Sequence, residues 1–538
     1  MPSGGAGVTG GDVLVEGLQA NGIEVVFGLP GVQLDAAVDA FARRQDTIRL
    51  YHTRHEQATS YMAWGYATAT GRTGCCMVVP GPGLLNAATG LSCAHASNAP
   101  VVCVAAQIPS AAIDRGLGYL HEIPHQVDVL RAVTKWTGRA MAPHEVQDVV
   151  SEAFRRVAEG RPRPVAVEVP SDVLEAECEA PPAIRPAPPP AGTPWPGSDD
   201  AVALLSRAER PLIMAGGGVI GAGAGDELRQ LAERLGAPVL TSANGRGAIP
   251  TEHPLAFPVP CAGRLVPAAD VILAVGTRLA RFQGRRWELG PGQTLIRIDV
   301  DREEIDRDIV PSLALVADAR AALSSLAEAV DARTASGWRD LDRLREEIDG
   351  IIQRVTPQAA FGAAIRRALP DDSVLVSGMN QVGYWAQIGY PVRRPRTFLG
   401  PGYQGALGYE VPTGLGAQVG RPDTRVVVLC GDGGFLFNVQ ELATAAQHHI
   451  PAIIVVFNDG AYGNVKRIQK ERFGRLLASE LRNPDFMELA HAFGIEGMRT
   501  TDPEGLGAAL GRALAIDGPV LIEVPVGEMD SPWAMLRG

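Results

Sequence analysis

Positive charge is in deficit in this 538-residue sequence: 49 Lys and Arg stand against 60 Asp and Glu, a formal net charge of −11 at pH 7. Without a basic excess nothing drives non-specific binding to nucleic acid or anionic lipid. Cysteine is scarce too. Seven residues, an odd number, do not form a disulfide framework, and the adjacent Cys75 and Cys76 sit in an apolar run where free thiols behave as small hydrophobes. No pair of CxxC spacings offers a zinc site. The opening MPSGGAGVTGGDVL has no basic region followed by an apolar core, so a signal peptide is not expected. No apolar run reaches the roughly 18 residues that a membrane span needs. These absences point to a reducing, cytoplasmic setting and to a small-molecule partner rather than nucleic acid or a membrane.

What is present is an ordinary globular composition, 46% hydrophobic and 20% charged. The length exceeds what one hydrophobic core supports, and about three domains are expected. The proline-rich stretch 180–197, APPAIRPAPPPAGTPWPG, cannot continue a helix or a sheet interior and reads as a linker. A charged helical segment at 338–354 leads into a further block. The resulting blocks are 1–180, 198–335 and 355–538. In each, short apolar runs alternate with amphipathic segments: runs at 24–28, 75–79 and 101–105, then 212–215, 271–275 and 295–298, then 374–376, 426–429, 453–457 and 520–524. Buried strands alternating with helices imply parallel sheets with right-handed crossovers. The expected fold is α/β, with three doubly wound parallel-sheet domains. Ligands of such sheets bind beyond the carboxyl ends of the strands.

One stretch concentrates such strand ends. The strand 425–429 runs into Gly431-Asp432-Gly433-Gly434, a helix is expected at 439–448, and the strand 452–457 ends at Asn458-Asp459-Gly460-Ala461. In a right-handed β-α-β unit Asp432 and Asp459 emerge at one edge. Two neighbouring carboxylates repel unless a cation or proton intervenes. Magnesium takes oxygen ligands, commonly one or two carboxylates plus phosphates. The glycines let backbone N–H groups approach an anion. The stretch therefore reads as a diphosphate anchored by Mg²⁺, although GDGG alone would serve equally well as a strand-to-helix turn.

The motif GDG, then 24 residues, then Asn-Asp resembles the thiamine diphosphate motif of the pyruvate decarboxylase and acetolactate synthase superfamily. That motif usually ends in Asn-Asn, and Asp459 keeps the oxygen ligand while adding a charge. The resemblance implies thiamine diphosphate and Mg²⁺ as cofactors, with the Ala461 carbonyl as the third protein ligand of the metal. In the first block, Phe27-Gly28-Leu29-Pro30-Gly31, then Arg54-His55-Glu56-Gln57-Ala58, then Pro80-Gly81-Pro82-Gly83 with Asn86 are similar to the family's pyrimidine-binding domain. A zinc-protease reading of His55-Glu56 needs a second His where Thr59 stands. By the resemblance, Glu56 hydrogen-bonds a ring nitrogen of the aminopyrimidine, which makes the exocyclic amine a base for the thiazolium carbon. Leu407 becomes the apolar wedge under the bent cofactor, and the Gly405 carbonyl accepts from the exocyclic amine. Pro30, Gly83, Asn86, Asn380, Gln381, Gly431, Gly433, Gly434, Tyr462 and Gly463 are the further cofactor contacts it implies. Since Glu56 and GDG lie in different blocks, the resemblance implies a homodimer or homotetramer with sites at the subunit interface.

In the central block, Gly216-Gly217-Gly218-Val219-Ile220-Gly221 fits GxGxxG, but the strand 238–240 ends in Thr241-Ser242-Ala243-Asn244 without the acid that a dinucleotide site wants. The segments 269–279 and 296–305 are similar to the family's central domain, where acetolactate synthases hold FAD. The Met-Leu-Gly-Met-His-Gly stretch of FAD-binding relatives is replaced by Leu255-Ala256-Phe257-Pro258-Val259-Pro260, and FAD is doubtful on that ground. The resemblance is nearest to acetolactate synthases and puts Gly31, Val32, Gln107, Leu120, His121, Asn464 and Ile468 against the substrate. Leu120-His121-Glu122 replaces Phe-Gln-Glu, Tyr462-Gly463-Asn464 replaces Leu-Gly-Met, and Ile468 replaces a tryptophan. His121 fits a proton donor or acceptor and, equally, a structural residue hydrogen-bonded beside Glu122. The leading expectation is a carboligase or decarboxylase acting on a 2-oxo acid. Alternatives are a lyase or hydrolase of a 2-hydroxyacyl-CoA or diketone, with Arg393, Arg394 and Arg396 at a thioester mouth, and a non-catalytic scaffold of the same fold.

Overall fold

The computed structural model describes residues 8–179, 198–279, 288–333 and 336–535; the stretch 180–197 expected to be a linker lies outside the described residues. Three parallel six-stranded sheets, each flanked by helices, make an α/β chain. The first domain carries β1 (Val8–Thr9), β2 (Val25–Gly28), β3 (Arg49–His52), β4 (Gly74–Val78), β5 (Val101–Gln107), β6 (Trp136–Arg139), β7 (Val165–Pro170) and β8 (Glu177–Cys178). Of these, β1 and β8 form a separate antiparallel pair. The central domain has β9 (Pro211–Ala215), β10 (Val239–Thr241), β11 (Ala256–Phe257), β12 (Val271–Val275), β13 (Thr294–Asp299) and β14 (Leu313–Val316). The third has β15 (Val374–Ser377), β16 (Phe398–Leu399), β17 (Val426–Gly431), β18 (Ile453–Asn458), β19 (Glu496–Arg499) and β20 (Val520–Pro525).

The apolar runs become strands because a parallel sheet covered on both faces must be hydrophobic on both. VVVLC of β17, IIVVF of β18 and all of β4, with Cys75 and Cys76, are fully buried. Strand order is β3-β2-β4-β5-β7-β6 in the first sheet and β16-β15-β17-β18-β20-β19 in the third, one topology used twice. The central sheet runs β11-β10-β9-β12-β13-β14, the order of a dinucleotide-binding doubly wound fold. The order reverses between β2 and β4, between β9 and β12, and between β15 and β17. Those reversals are where crevices open at strand ends.

In both outer domains the helix that follows the second strand in sequence lies at the seam. Glu56–Thr70 follows β3 and Glu410–Gly420 follows β16, and the two pack against each other. Their backbones meet because glycine stands at both crossing points. A Cβ at Gly65 would run into the carbonyl oxygen of Thr413, and one at Gly416 into that of Met62. Around them Tyr61, Trp64, Leu415 and Tyr409 belong to one continuous core shared by the first and third domains.

Arginines tie the central domain to its neighbours. Arg161, 7% exposed, donates to Asp301 and Glu304 at 2.6 Å each. Arg246 donates to the carbonyls of Ala386 (2.6 Å) and Tyr390 and lies over the Phe398 ring. Arg396 bonds Thr68 and Ile220 carbonyls, joining all three domains. Arg393 pairs with Glu252 and Asp371. Among the described residues no helix is long and apolar enough to cross a membrane.

The helix crossing predicts an effect on stability. Gly416→Ala forces the two backbones apart, and should lower unfolding free energy by about 1–3 kcal/mol, the range for overpacking a filled core. Urea unfolding followed by tryptophan fluorescence measures it; an unchanged midpoint would show that the seam has slack.

Candidate functional site

Register brings the two acids together. In the parallel pair β17–β18, Gly431 lies opposite Phe457, so the residues just beyond each strand, Asp432 and Asp459, emerge at one sheet edge. The helix expected at 439–448 is found as Glu441–Gln447, and a separate four-residue helix, Asp432–Phe435, begins at the first acid. Asp432 is 1% exposed and accepts a 2.6 Å bond from the Asn483 amide, which also donates to Asn458 at 3.0 Å. Asp459 accepts from the Ala461 N–H at 3.2 Å. Burial, and then the charge of Asp432 beside it, push the Asp459 carboxyl up to about 6. Neither acid forms an ion pair among the described residues, and no cluster of three or more His, Cys, Asp or Glu that could hold a metal occurs there.

A cavity of about 230 Å³ opens over this pair. Its walls include Asn380, Gln381, Gly405, Leu407, Gly431–Gly434, Asp459 and Ala461–Asn464. The glycines are required by close neighbours. A Cβ on Gly433 would stand 2.6 Å from the Tyr462 ring, and one on Gly463 would collide with the Asp459 carboxylate. Gly405 has φ +56°, a conformation that favours glycine. Asn380 caps the helix Gln381–Gly389, accepting from Gly383 N–H at 2.8 Å and donating to Leu429 carbonyl at 3.2 Å, so its side chain is already engaged. The Gln381 amide oxygen is buried without a partner. Ile468 is partly buried and does not line the cavity.

A second group forms in the first domain. Glu56 opens the helix Glu56–Thr70, whose cap is the His55 ring accepting from Gln57 N–H. The Glu56 carboxylate accepts from the Asn86 amide at 3.0 Å, and its other oxygen lies 3.6 Å from where a Gly83 Cβ would be. Pro30 and Val32 are exposed, Gly31 half-buried, and Leu120 is 63% exposed. His121 pairs with Gln33, not Glu122: its Nδ1 lies 3.0 Å from the Gln33 amide oxygen, while the Gln33 amide nitrogen donates to the Leu120 carbonyl. Glu122 instead accepts the N–H groups of Gly116, Leu117, Gly118 and Tyr119, which hold its carboxyl below the usual range. Gln107 is 2% exposed and bonded to Glu168 and to Ile108 N–H, turned into the sheet rather than to an open surface.

The two groups stay apart within one chain. Every residue lining the cavity over Asp432 comes from 379–529, and none from the first domain. Sequence reasoning passed over Gln33 and Asn483; Asn438, which begins the family-like NVQELAT, joins the Gly408 carbonyl to the Gln57 side chain. Sequence reasoning also passed over Val526, Gly527 and Met529 on the cavity wall. Gln33, Asn483 and the wall residues sit at no motif spacing and are brought in from elsewhere in the chain.

The central domain has a larger cavity of about 580 Å³ at its own reversal point. Gly217 and Gly218, Arg161, Arg246 and Arg278 line it. Asp299, at the end of β13, and Asp318 also line this cavity.

Three family matches cover most of the chain. Residues 8–130 match the N-terminal thiamine pyrophosphate-binding domain of thiamine pyrophosphate enzymes, 198–326 the central domain, and 377–524 the C-terminal binding domain. A probable 2-ketoarginine decarboxylase of Pseudomonas aeruginosa is 35% identical over 96% of this chain and 94% of its own length. A probable acetolactate synthase large subunit of Methanocaldococcus jannaschii is 31% identical, covering 96% and 92%. Acetolactate synthase isozyme 1 large subunit of Escherichia coli is 30% identical, covering 98% and 96%.

The Glu122 arrangement makes a prediction about the neighbouring loop. Glu122→Ala should accelerate amide exchange at Gly116–Tyr119 by about tenfold or more, the scale of losing a charge-assisted hydrogen bond, without changing exchange in β4 or β5. Exchange measured by mass spectrometry decides it, and unaltered rates at 116–119 would remove the anchoring role.

Proposed function

Because this chain belongs to the thiamine pyrophosphate enzyme family, we propose that it binds thiamine diphosphate through Mg²⁺ and decarboxylates a 2-oxo acid, finishing by condensation with a carbonyl compound or by protonation. The observation that carries the cofactor reading is the pair Asp432 and Asp459, a buried and a half-buried acid side by side and outside any described ion pair. Their oxygens, with the Ala461 carbonyl, are the donor set that Mg²⁺ takes, and a cation between them relieves the repulsion. Gly431, Gly433 and Gly434 leave backbone N–H groups open to a diphosphate. Bound there, thiamine diphosphate supplies a nucleophilic carbon and an electron sink.

The chain's own residues have distinct tasks in this reading. Glu56 holds a proton at the aminopyrimidine ring, and Asn86, bonded to one carboxylate oxygen, sets its orientation. Gly405 offers a carbonyl to the exocyclic amine, and Leu407 supports the cofactor from below. Since the cavity is walled by the third domain alone, Glu56 is supplied by a second copy of the chain, and the active form is a homodimer or homotetramer. Gly31, Val32, Leu120 and His121 then face Asn464 across the interface, with Gln107 and Ile468 behind them. Seven free thiols fit a reducing cytoplasm.

The substrate class rests on the relatives, a named 2-oxo acid decarboxylase and acetolactate synthases. A thioester mouth has less support, because Arg393 and Arg396 are spent on Glu252, Asp371 and interdomain carbonyls. Leu255-Ala256-Phe257-Pro258-Val259-Pro260 stands where FAD-binding relatives carry Met-Leu-Gly-Met-His-Gly, so a flavin is no part of this reading.

Incubation with a panel of 2-oxo acids, including pyruvate and 2-ketoarginine, should release CO₂ with or without an acyloin; silence across the panel would overturn the reading. Glu56→Gln should lower kcat by about 10²-fold or more and leave the Kd for thiamine diphosphate within a few-fold. Asp432→Ala should abolish the Mg²⁺-dependent part of that binding, measured by calorimetry.

A further inference from the structure

A third acid stands behind the cavity, and no motif marked it. Glu410 opens the helix Glu410–Gly420, so in the third domain it occupies the place that Glu56 has in the first. It is 1% exposed. Its Oε1 accepts the Met379 N–H at 3.1 Å, and the N–H dipoles of Gly408 and of Glu410 itself act on the carboxyl from nearby. Its Oε2 is buried without a partner. A Cβ on Gly434 would lie 3.3 Å from Oε1 and 3.6 Å from Oε2, and one on Gly378 3.0 Å from Oε1. One carboxyl group thus touches the segment after β15, the loop carrying Gly405 and Leu407, and the glycines after β17. These are three of the five segments that wall the cavity over Asp432.

Resting on the thiamine diphosphate reading, we propose that Glu410 is a positioning residue that, as a carboxylate, fastens these three loops in the arrangement the cofactor needs. The Met379 N–H is a donor and the Gly408 N–H a nearby dipole, and an ionised oxygen holds both more strongly than a neutral one. The titratable groups facing Glu410 are Tyr61 from Glu56–Thr70, Tyr384 from Gln381–Gly389, Cys430 from β17 and Tyr409 beside it, and among the described residues no cation pairs with it. Burial accordingly pushes its carboxyl up to about 7. The acid is therefore protonated in the folded chain below about pH 7 and ionised above it, and the fastening strengthens as pH rises.

Glu410→Gln keeps the shape and removes the charge. The experiment is titration of the full-length apo protein with thiamine diphosphate at fixed Mg²⁺, at pH 6 and pH 8, for wild type and E410Q. The ratio of the two Kd values cancels the titration of the cofactor's own phosphates. It should be about tenfold at pH 8, the scale of one charge-assisted hydrogen bond, and fall to within twofold at pH 6. The melting temperature of apo E410Q at pH 8 should equal or exceed wild type, because an unpaired buried charge has gone. A ratio near one at pH 8, or one independent of pH, overturns the inference. So does weaker binding that comes with a lower melting temperature, since a folding defect then explains it. Wild-type protein that binds no thiamine diphosphate would sink the parent reading as well, which separates the two failures.

Discussion

Everything in this chain is hung from one contact, the crossing of Glu56–Thr70 with Glu410–Gly420. Two helices can approach until their backbones touch only where side chains are missing, and Gly65 and Gly416 supply that at the carbonyls of Thr413 and Met62. The contact joins two domains of identical strand order through equivalent helices. It also fixes the starts of both helices, and an acid stands at each, Glu56 and Glu410. Aromatic rings of Tyr61, Trp64 and Tyr409 pack within 6.5 Å of one another around the crossing, so the seam is as dense as a domain core.

Against that rigid seam, the electrostatics of the strand ends are unbalanced. Buried carboxyls are ordinarily paired, yet the buried Asp432 and Glu410 and the half-buried Asp459 form no ion pair among the described residues. The cost is borne where several segments converge on one cavity, and a divalent cation with a phosphate ligand would repay part of it. The interdomain arginines show the contrasting case. Arg161 and Arg393 meet carboxylates, and Arg246 and Arg396 meet carbonyls, so their charges are used in holding domains together.

Much of this was legible from residues alone. Parallel strands announce themselves as apolar runs, so the runs at 271–275, 426–429 and 453–457 are each found within a strand of the sheets. Asp432 and Asp459 were recognisable because both follow such runs, and a β-α-β unit leaves little freedom in where strand ends emerge. The helix after GDGG was misjudged in its start, since Asp432–Phe435 is a separate turn of helix. His121 was set beside Glu122 by sequence adjacency, whereas a left-handed backbone at φ +69° turns it to Gln33, 88 residues away. The central cavity's lining acids, Asp299 at the end of β13 and Asp318 beyond β14, come from places that a motif search at β10 does not reach.

The sequence by itself determined the fold class, the family, and the chemistry of the strand ends, because burial on both faces and paired acids after strands are local patterns. Only the tertiary structure decided which partners those groups have. It separated Glu56 from the cavity over Asp432 within one chain, bound Asn483 to Asp432, turned Gln107 inward to Glu168, and brought Glu410 beneath three loops at once. Such contacts join residues tens to hundreds of positions apart, and no spacing along the chain encodes them. They follow from where two helices can touch and where three sheets reverse.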